Sequence, residues 1–339
     1  MVAQNRMGRI IVLVALLVVT LGMISSSAFA QYTVTNLVSN QSGKAQHQDT
    51  SLVNAWGISY APGGYFWISD NGTGLSTLYN AQGVKFSPVV TIPPSSGTGT
   101  GSPTGQAYNG TTGFVISQNG HSGAATFLFA TFDGTISGWN SSVNGTSAVI
   151  AVNNTGAWYT GLAMGVSNGA SYLFAADNLN NKVDIYNSTF GLVGSFTDTS
   201  LPSGSAPYNV VNIGGQLYVT FTNSSGGGVV DIFTTAGTKV KTLISGGNLH
   251  TPWGVALAPT NFGGASKALL VGNLGDGFIN AFNPTTGKLV GKSAVSFQGL
   301  WALIFGDGKG FNGQTNQLFL TSGPGEYADG LFTVVNVKK

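Results

Sequence analysis

The sequence predicts an all-β fold, a six-bladed β-propeller whose N-terminal strand completes the last blade, and three observations carry that reading. A unit of three short strands joined by tight turns recurs with a period of about 45 to 55 residues. Outside the first segment, no window keeps apolar residues at i, i+3 and i+4 over three turns, so helices are not expected. A strand-like stretch, Tyr32–Val38, stands before the first unit without a partner, whereas the last unit runs out after its third strand.

The clearest unit is Asn54 to Lys85, with apolar runs at Trp56–Tyr60, Tyr65–Ser69 and, after the turn Asp70-Asn71-Gly72, Leu75–Asn80. Aligned on their first strands, the units begin near Trp56, Gln106, Gly161, Tyr208, Trp253 and Trp301. Second strands follow at Phe66–Ser69, Phe127–Ala130, Tyr172–Ala175, Gln216–Val219, Ala268–Val271 and Gln317–Leu320. Third strands follow at Leu75–Tyr79, Gly134–Trp139, Lys182–Tyr186, Val229–Phe233, Gly277–Phe282 and Gly330–Val334. Near-continuous apolar second strands suit sheets covered on both faces, as stacked blades are. Pairing Tyr32–Val38 as the outermost strand of the final blade would leave no open edge. The Ile92–Gly105 and Gly110–Gly123 stretches read as surface excursions, Asn140–Trp158 contains an outer strand at Ala148–Val152, and residues 31–339 form a single domain on this reading.

Residues 1–30 have the form of a leader. Arg6 and Arg9 precede the apolar run Ile10–Met23, and Ser27-Ala28-Phe29-Ala30 offers small residues for cleavage after Ala30. The run falls short of the ~20 residues that a spanning helix needs. Export to the periplasm or the extracellular space is therefore expected, with no membrane span after cleavage. Removing the leader removes both arginines, leaving lysines against scattered aspartates and one glutamate, Glu326. So few charges argue against nucleic-acid binding, which requires a basic face. The absence of cysteine excludes disulfides, thiolate metal sites and a cysteine nucleophile. A closed ring of this size needs no partner to fold, so a monomer is expected.

In such a ring, the loops leading into the first strands and the turns joining second to third strands open on one face, around the channel mouth. The residues brought there include Asn54, Trp56, Asp70, Phe132, Asp133, Tyr159, Asp177, Tyr208, His250, Trp253, Asp276, Trp301 and Glu326. An oxygen-rich rim suits a hard cation such as calcium or the hydroxyls of a polar ligand. Asp and Asn before Gly are equally the residues of tight turns, and Trp-Gly pairs equally serve packing. No Gly-x-Ser-x-Gly elbow, His-Glu-x-x-His pair or phosphate loop occurs.

Several stretches carry a resemblance: Gln46-His47-Gln48-Asp49 to Trp56-Gly57-Ile58, Trp67-Ile68-Ser69-Asp70-Asn71-Gly72-Thr73-Gly74, Asn119-Gly120 before Phe127 to Trp139, and Ala175-Ala176-Asp177. Together they resemble a family of uncharacterised exported bacterial proteins, some with C-terminal sorting tails; here the chain ends Val337-Lys338-Lys339 without one. More distantly, the repeats are similar to NHL-type and gluconolactonase-type six-bladed propellers. In the latter a glutamate before the first-blade Trp helps bind metal, and Asn54 holds the comparable position here. Two functions follow as expectations. One is a non-catalytic module binding a saccharide, a peptide or an envelope protein at the channel mouth. The other is a calcium-dependent lactonase or hydrolase in which Asp177 and Asp276 share the ion with Asn209 and Asn223, one carboxylate serving as base.

Overall fold

The computed structural model describes residues 32–338, and the expected leader, residues 1–30, lies outside them. Six sheets stand around an axis. Their innermost strands are Ala55–Ser59, Pro103–Tyr108, Tyr159–Ser167, Ala206–Ile213, Pro252–Leu257 and Leu300–Phe305, each touching the next and the last touching the first. Second and third strands fall where the repeat predicts, for example Phe66–Asp70 with Leu75–Tyr79 and Phe127–Thr131 with Thr135–Trp139. The outer strand expected at Ala148–Val152 is Val149–Asn153. Blade 2 departs in register. Its innermost strand begins three residues before Gln106, and Thr104-Gly105 stands where blade 1 has Trp56-Gly57. Blade 2 has Thr104 where blades 1, 5 and 6 carry a tryptophan, so apolar character alone does not fix its register. The Gly110–Gly123 excursion contains a hairpin, Val115–Gln118 paired with His121–Ala124.

The ring closes as the unpaired stretch predicts. Tyr32–Ser39 runs antiparallel to Leu331–Val337, from Tyr32 opposite Val337 to Ser39 opposite Leu331, with one bulge between Asn36 and Val38. Tyr32 anchors the seam further, its hydroxyl donating to the Phe262 carbonyl at 2.6 Å and accepting from the Ala265 amide at 3.2 Å. No cysteine is present, so closure rests on this ladder and on packing. The apolar core is divided into six clusters, one at each junction between neighbouring blades. This explains the apolar second strands: each meets a neighbour on both faces.

Within that core runs a ladder of polar residues that the strand pattern does not flag. Thr77, Ser137, Asp184, Asp231, Asn280 and Thr333 take the same place in the third strand of successive blades, opposite Ile68, Phe129, Ala175, Val219, Val271 and Leu320. All six are fully buried. Buried polar groups require partners, and four of these find them within their own blade, Thr333 donating to Asn36 Oδ1 of the closing strand at 3.2 Å. Asp184 accepts from Tyr159 Oη at 2.9 Å and pairs with Lys182 at 2.8 Å, Asn280 donates to the Asn248 carbonyl at 3.0 Å, and Asp231 lies 3.7 Å from Lys239. These bonds tie third strands to the innermost strands, lead-in loops and outer strands, so the ladder is part of the scaffold.

Candidate functional site

The channel is narrow because the innermost strands crowd it. A Cβ placed on Gly105 would lie 2.3 Å from the Leu162 amide nitrogen of the next blade, and Gly57, Gly161 and Gly254 meet their neighbours equally closely. The residue before each of these glycines is the second of its innermost strand, at the lead-in end. In blades 1, 5 and 6 the corresponding residue is a tryptophan, and the three indoles meet on the axis. Trp56 and Trp301 stack with centroids 3.7 Å apart and planes at 15°, and Trp253 stands edge-on to both at 6.4 and 6.0 Å. Their exposures are 5, 2 and 4 %. The indoles thus fill the channel, as a stopper built by three blades.

Hydrogen bonds fix the stopper. Trp301 Nε1 donates to Asn54 Oδ1 at 2.8 Å, and Asn54 Nδ2 donates to Asn71 Oδ1 at 3.0 Å. Trp253 Nε1 donates to the Thr160 carbonyl at 3.0 Å, reaching blade 3. Asn54 has φ of 46°, a sparsely populated region for a residue with a side chain, and these two contacts hold it there. The position comparable to a lactonase glutamate is occupied by a clamp on a tryptophan.

Above the stopper the aromatic surface continues outwards. Phe132, on the second-to-third turn of blade 2, lies 6.3 Å from Trp56 and stacks on Trp158 at 5.1 Å; Tyr327, on the corresponding turn of blade 6, lies 5.7 Å from Trp301. Tyr208 adds a ring 6.1 Å from Trp301, and burial raises its hydroxyl above the usual phenolic range, the Tyr327 hydroxyl adding to the effect. Trp158, Phe132, Trp56, Trp301 and Tyr327 form an unbroken band across the mouth, exposed only at its two ends: Trp158 42 %, Phe132 36 % and Tyr327 45 %. Glu326 and Tyr327 are consecutive residues at positive φ, 57° and 71°, which sets Tyr327 over the rim. Trp158 and Tyr327 are the two residues the sequence reading missed, each adjacent to one it singled out, Tyr159 and Glu326. Tyr159 turns inwards to Asp184 and Tyr186. Repeat alignment marks a loop without saying which of two neighbouring side chains faces out.

The acids expected on the rim are dispersed. Asp70 is buried inside blade 1, and burial raises its carboxyl well above the ordinary value. Asp133 accepts from the Ser95 amide at 2.6 Å and from Thr131 Oγ1 at 2.5 Å, pinning the Ile92–Gly105 excursion. Asp177 accepts from the Trp158 amide at 3.1 Å and from Asn180 Nδ2 at 2.7 Å. Asp276 accepts from Asn273 Nδ2 at 3.0 Å and the Phe278 amide at 3.1 Å, with Lys292 at 3.5 Å and His250 at 4.0 Å. Asn223 caps its own turn through the Ser225 and Gly227 amides, both at 3.1 Å, and Asn209 donates to the Trp253 carbonyl at 2.9 Å inside the channel wall. No hydrogen bond or ion pair among the described residues joins any two of Asp177, Asn209, Asn223 and Asp276, and no group of three or more His, Asp or Glu is placed to hold a metal. Each of the four is instead engaged by its own turn or by the channel wall.

Beyond the stopper, the other half of the channel opens on the opposite face as a cavity of about 580 Å³. Tyr60, Gln106, Met164, Asn212, Leu257 and Phe305 are among its lining residues, and no Asp, Glu, Lys, Arg or His lines it. Two tyrosines, Tyr60 and Tyr108, are its titratable groups; Tyr60 donates to the Phe305 carbonyl at 2.6 Å, and burial, with Asp307 adding, pushes it up to about 12.

The fold and the plugged channel define a six-bladed β-propeller. No protein-family model matches the chain. It belongs to the same family as uncharacterised proteins R648 and L690 of Acanthamoeba polyphaga mimivirus: it is 30 % identical to R648 over 90 % of this chain and 80 % of that one, and 30 % identical to L690 over 82 % and 78 %. The sequence resemblance implied a bacterial family; these relatives are viral. Among solved structures, virginiamycin B lyase from Staphylococcus aureus matches with a TM-score of 0.54 at 13 % identity, covering 90 % of this chain and 99 % of that one. A streptogramin B lyase matches with a TM-score of 0.56 at 14 % identity, covering 92 % and 100 %. At such identities the likeness is one of fold. No described helix is long and apolar enough to cross a membrane.

Proposed function

We propose that this protein is a non-catalytic recognition module that binds its ligand on the face of the lead-in loops and second-to-third turns. The observation that carries the reading is the aromatic band, rigid and buried at its centre and exposed at Trp158, Phe132 and Tyr327. Exposed rings held on an immobile base present contact area at low entropic cost. Asp133, Asp177 and Asp276 near the band are engaged in turns, and none is arranged with a nucleophile as its base. The scaffold alone does not decide, since it serves lyases and also matches a chain of a nidogen/laminin complex, with a TM-score of 0.50 at 15 % identity. Export is part of the proposal, supported by the basic, apolar and small-residue order of residues 1–30. A saccharide, a peptide or a surface protein is then the class of ligand within reach.

The test is a solution screen of glycans and peptides against residues 31–339, read by tryptophan fluorescence and repeated on Phe132→Ala/Tyr327→Ala. A ligand whose binding weakens by about tenfold or more in the variant supports the reading, as expected for lost aromatic contacts. Ligands bound equally by both proteins overturn it.

A further inference from the structure

One end of the aromatic band borders a second cavity, and its chemistry is more specific than that of the band as a whole. About 540 Å³ lies between the Ile92–Gly105 excursion and the rings of Phe132 and Trp158. Three kinds of group meet there. The rings are stacked on each other with planes at 26°, which leaves each a face or edge turned to the cavity. The Asp133 carboxylate is fixed by the Ser95 amide on one oxygen and Thr131 Oγ1 on the other, so each oxygen keeps a lone pair in a set direction. Burial alone would raise this carboxyl, but those bonds outweigh it and hold it below the ordinary value, so it is ionised at neutral pH. Thr100, Ser102 and Thr155 supply hydroxyls for which no partner is found among the described residues. No Lys, Arg or His lines the cavity.

Ring faces beside a fixed acceptor and several hydroxyls match a molecule with an apolar C–H face edged by hydroxyl donors. We propose that this cavity seats a pyranose unit of an uncharged glycan, stacked on Trp158 and Phe132 and hydrogen-bonded to Asp133 and the flanking hydroxyls. An anionic sugar would meet the carboxylate with no cation to offset it, and a cation would find only one carboxylate, already engaged on both oxygens. The inference rests on the recognition-module reading and names the ligand class of one part of the same face.

The experiment is calorimetric titration of residues 31–339 with cello-, malto-, manno-, xylo- and N-acetylchito-hexaose, and with hexagalacturonate as the charged counterpart. At least one neutral hexaose is expected to bind, about tenfold more weakly to Trp158→Ala and with affinity recovered in Trp158→Phe. Leu289→Ala, on an outer strand, should bind as the parent does. Asp133→Asn should narrow the preference for neutral over charged sugar. Binding by none of the neutral sugars overturns the inference. So does neutral-sugar binding that survives Trp158→Ala but is lost in Tyr327→Ala, an outcome that would leave the aromatic-band reading intact.

Discussion

The two ends of the channel are built from the same six strands and have opposite characters. At the lead-in end, tryptophans from three blades meet on the axis and close it, and the polar groups nearby serve to hold indoles in place. At the other end, the strands diverge into an uncharged cavity with no carboxylate, amine or imidazole in its wall. The difference arises at one position, the residue before the glycine that lets neighbouring strands touch. A large side chain there reaches the axis, and its bulk decides which face is a surface and which a hollow. What this teaches is that closing the channel makes the lead-in face a platform, so recognition there is by contact with rings rather than by enclosure.

The comparison breaks most severely if the stopper is removed. Trp301→Ala deletes an indole that is 2 % exposed, stacked on Trp56 and bonded to Asn54. It should cost about 3–5 kcal/mol in urea unfolding and join the two ends of the channel. Unchanged stability would mean that the three indoles do not share one packed site.

A second prediction separates the stopper from the buried ladder. Burial raises the Asp231 carboxyl to about 6, a hydrogen bond with Asp198 and its charge adding to the effect while Thr242 and Lys239 oppose it. Its ordinary value is 3.8, so between those two values the folded chain holds a proton that the unfolded chain has released. Stability must then increase as pH falls from 7 through 6, by ~1–3 kcal/mol, until the unfolded chain takes up its own proton near 4. Asp70, also raised by burial, acts in the same direction. Asp198, held low by Lys239, loses its contribution only below its ordinary value of 3.8. Asp231→Asn should remove the part of the pH dependence centred near 6, measured as melting temperature against pH, and leave the aromatic band untouched.

Smaller effects sharpen the picture. Asn54→Ala leaves the Trp301 indole nitrogen without its acceptor and should cost about 1–2 kcal/mol. Trp158→Ala and Tyr327→Ala, at the exposed ends of the band, should each alter stability by no more than about 0.5 kcal/mol. If either proved as costly as Trp301→Ala, the exposed ends would belong to the scaffold and not to a recognition surface.

The architecture was legible because its signals repeat. Blade count, second and third strands and the closing strand Tyr32–Ser39 all follow from periodicity and from one stretch without a partner. The face carrying the lead-in loops was legible too, but its chemistry was read as a ring of acids. Asp177, Asn223 and Asp276 in fact cap their own turns, the ordinary use of such residues beside glycine. The band escaped notice because its exposed members, Trp158 and Tyr327, fall outside the Trp-Gly alignment and stand next to residues that looked more functional. The buried ladder did leave a trace: a polar residue at one register of every third strand, as in Val183-Asp184-Ile185 and Val230-Asp231-Ile232. Reading it requires the pairing register as well as the strand, because its meaning lies in which face is enclosed.

The seam has a consequence for the order of events in folding. Tyr32 pairs with Val337, so all six blades separate the two partners, and the propeller's first β-strand must wait for its last before the circle can shut. Until then its apolar side lacks its cover and the sixth blade lacks its rim. A nascent or partly threaded chain is consequently held open by its own topology, and maturation becomes a single late event for the entire ring.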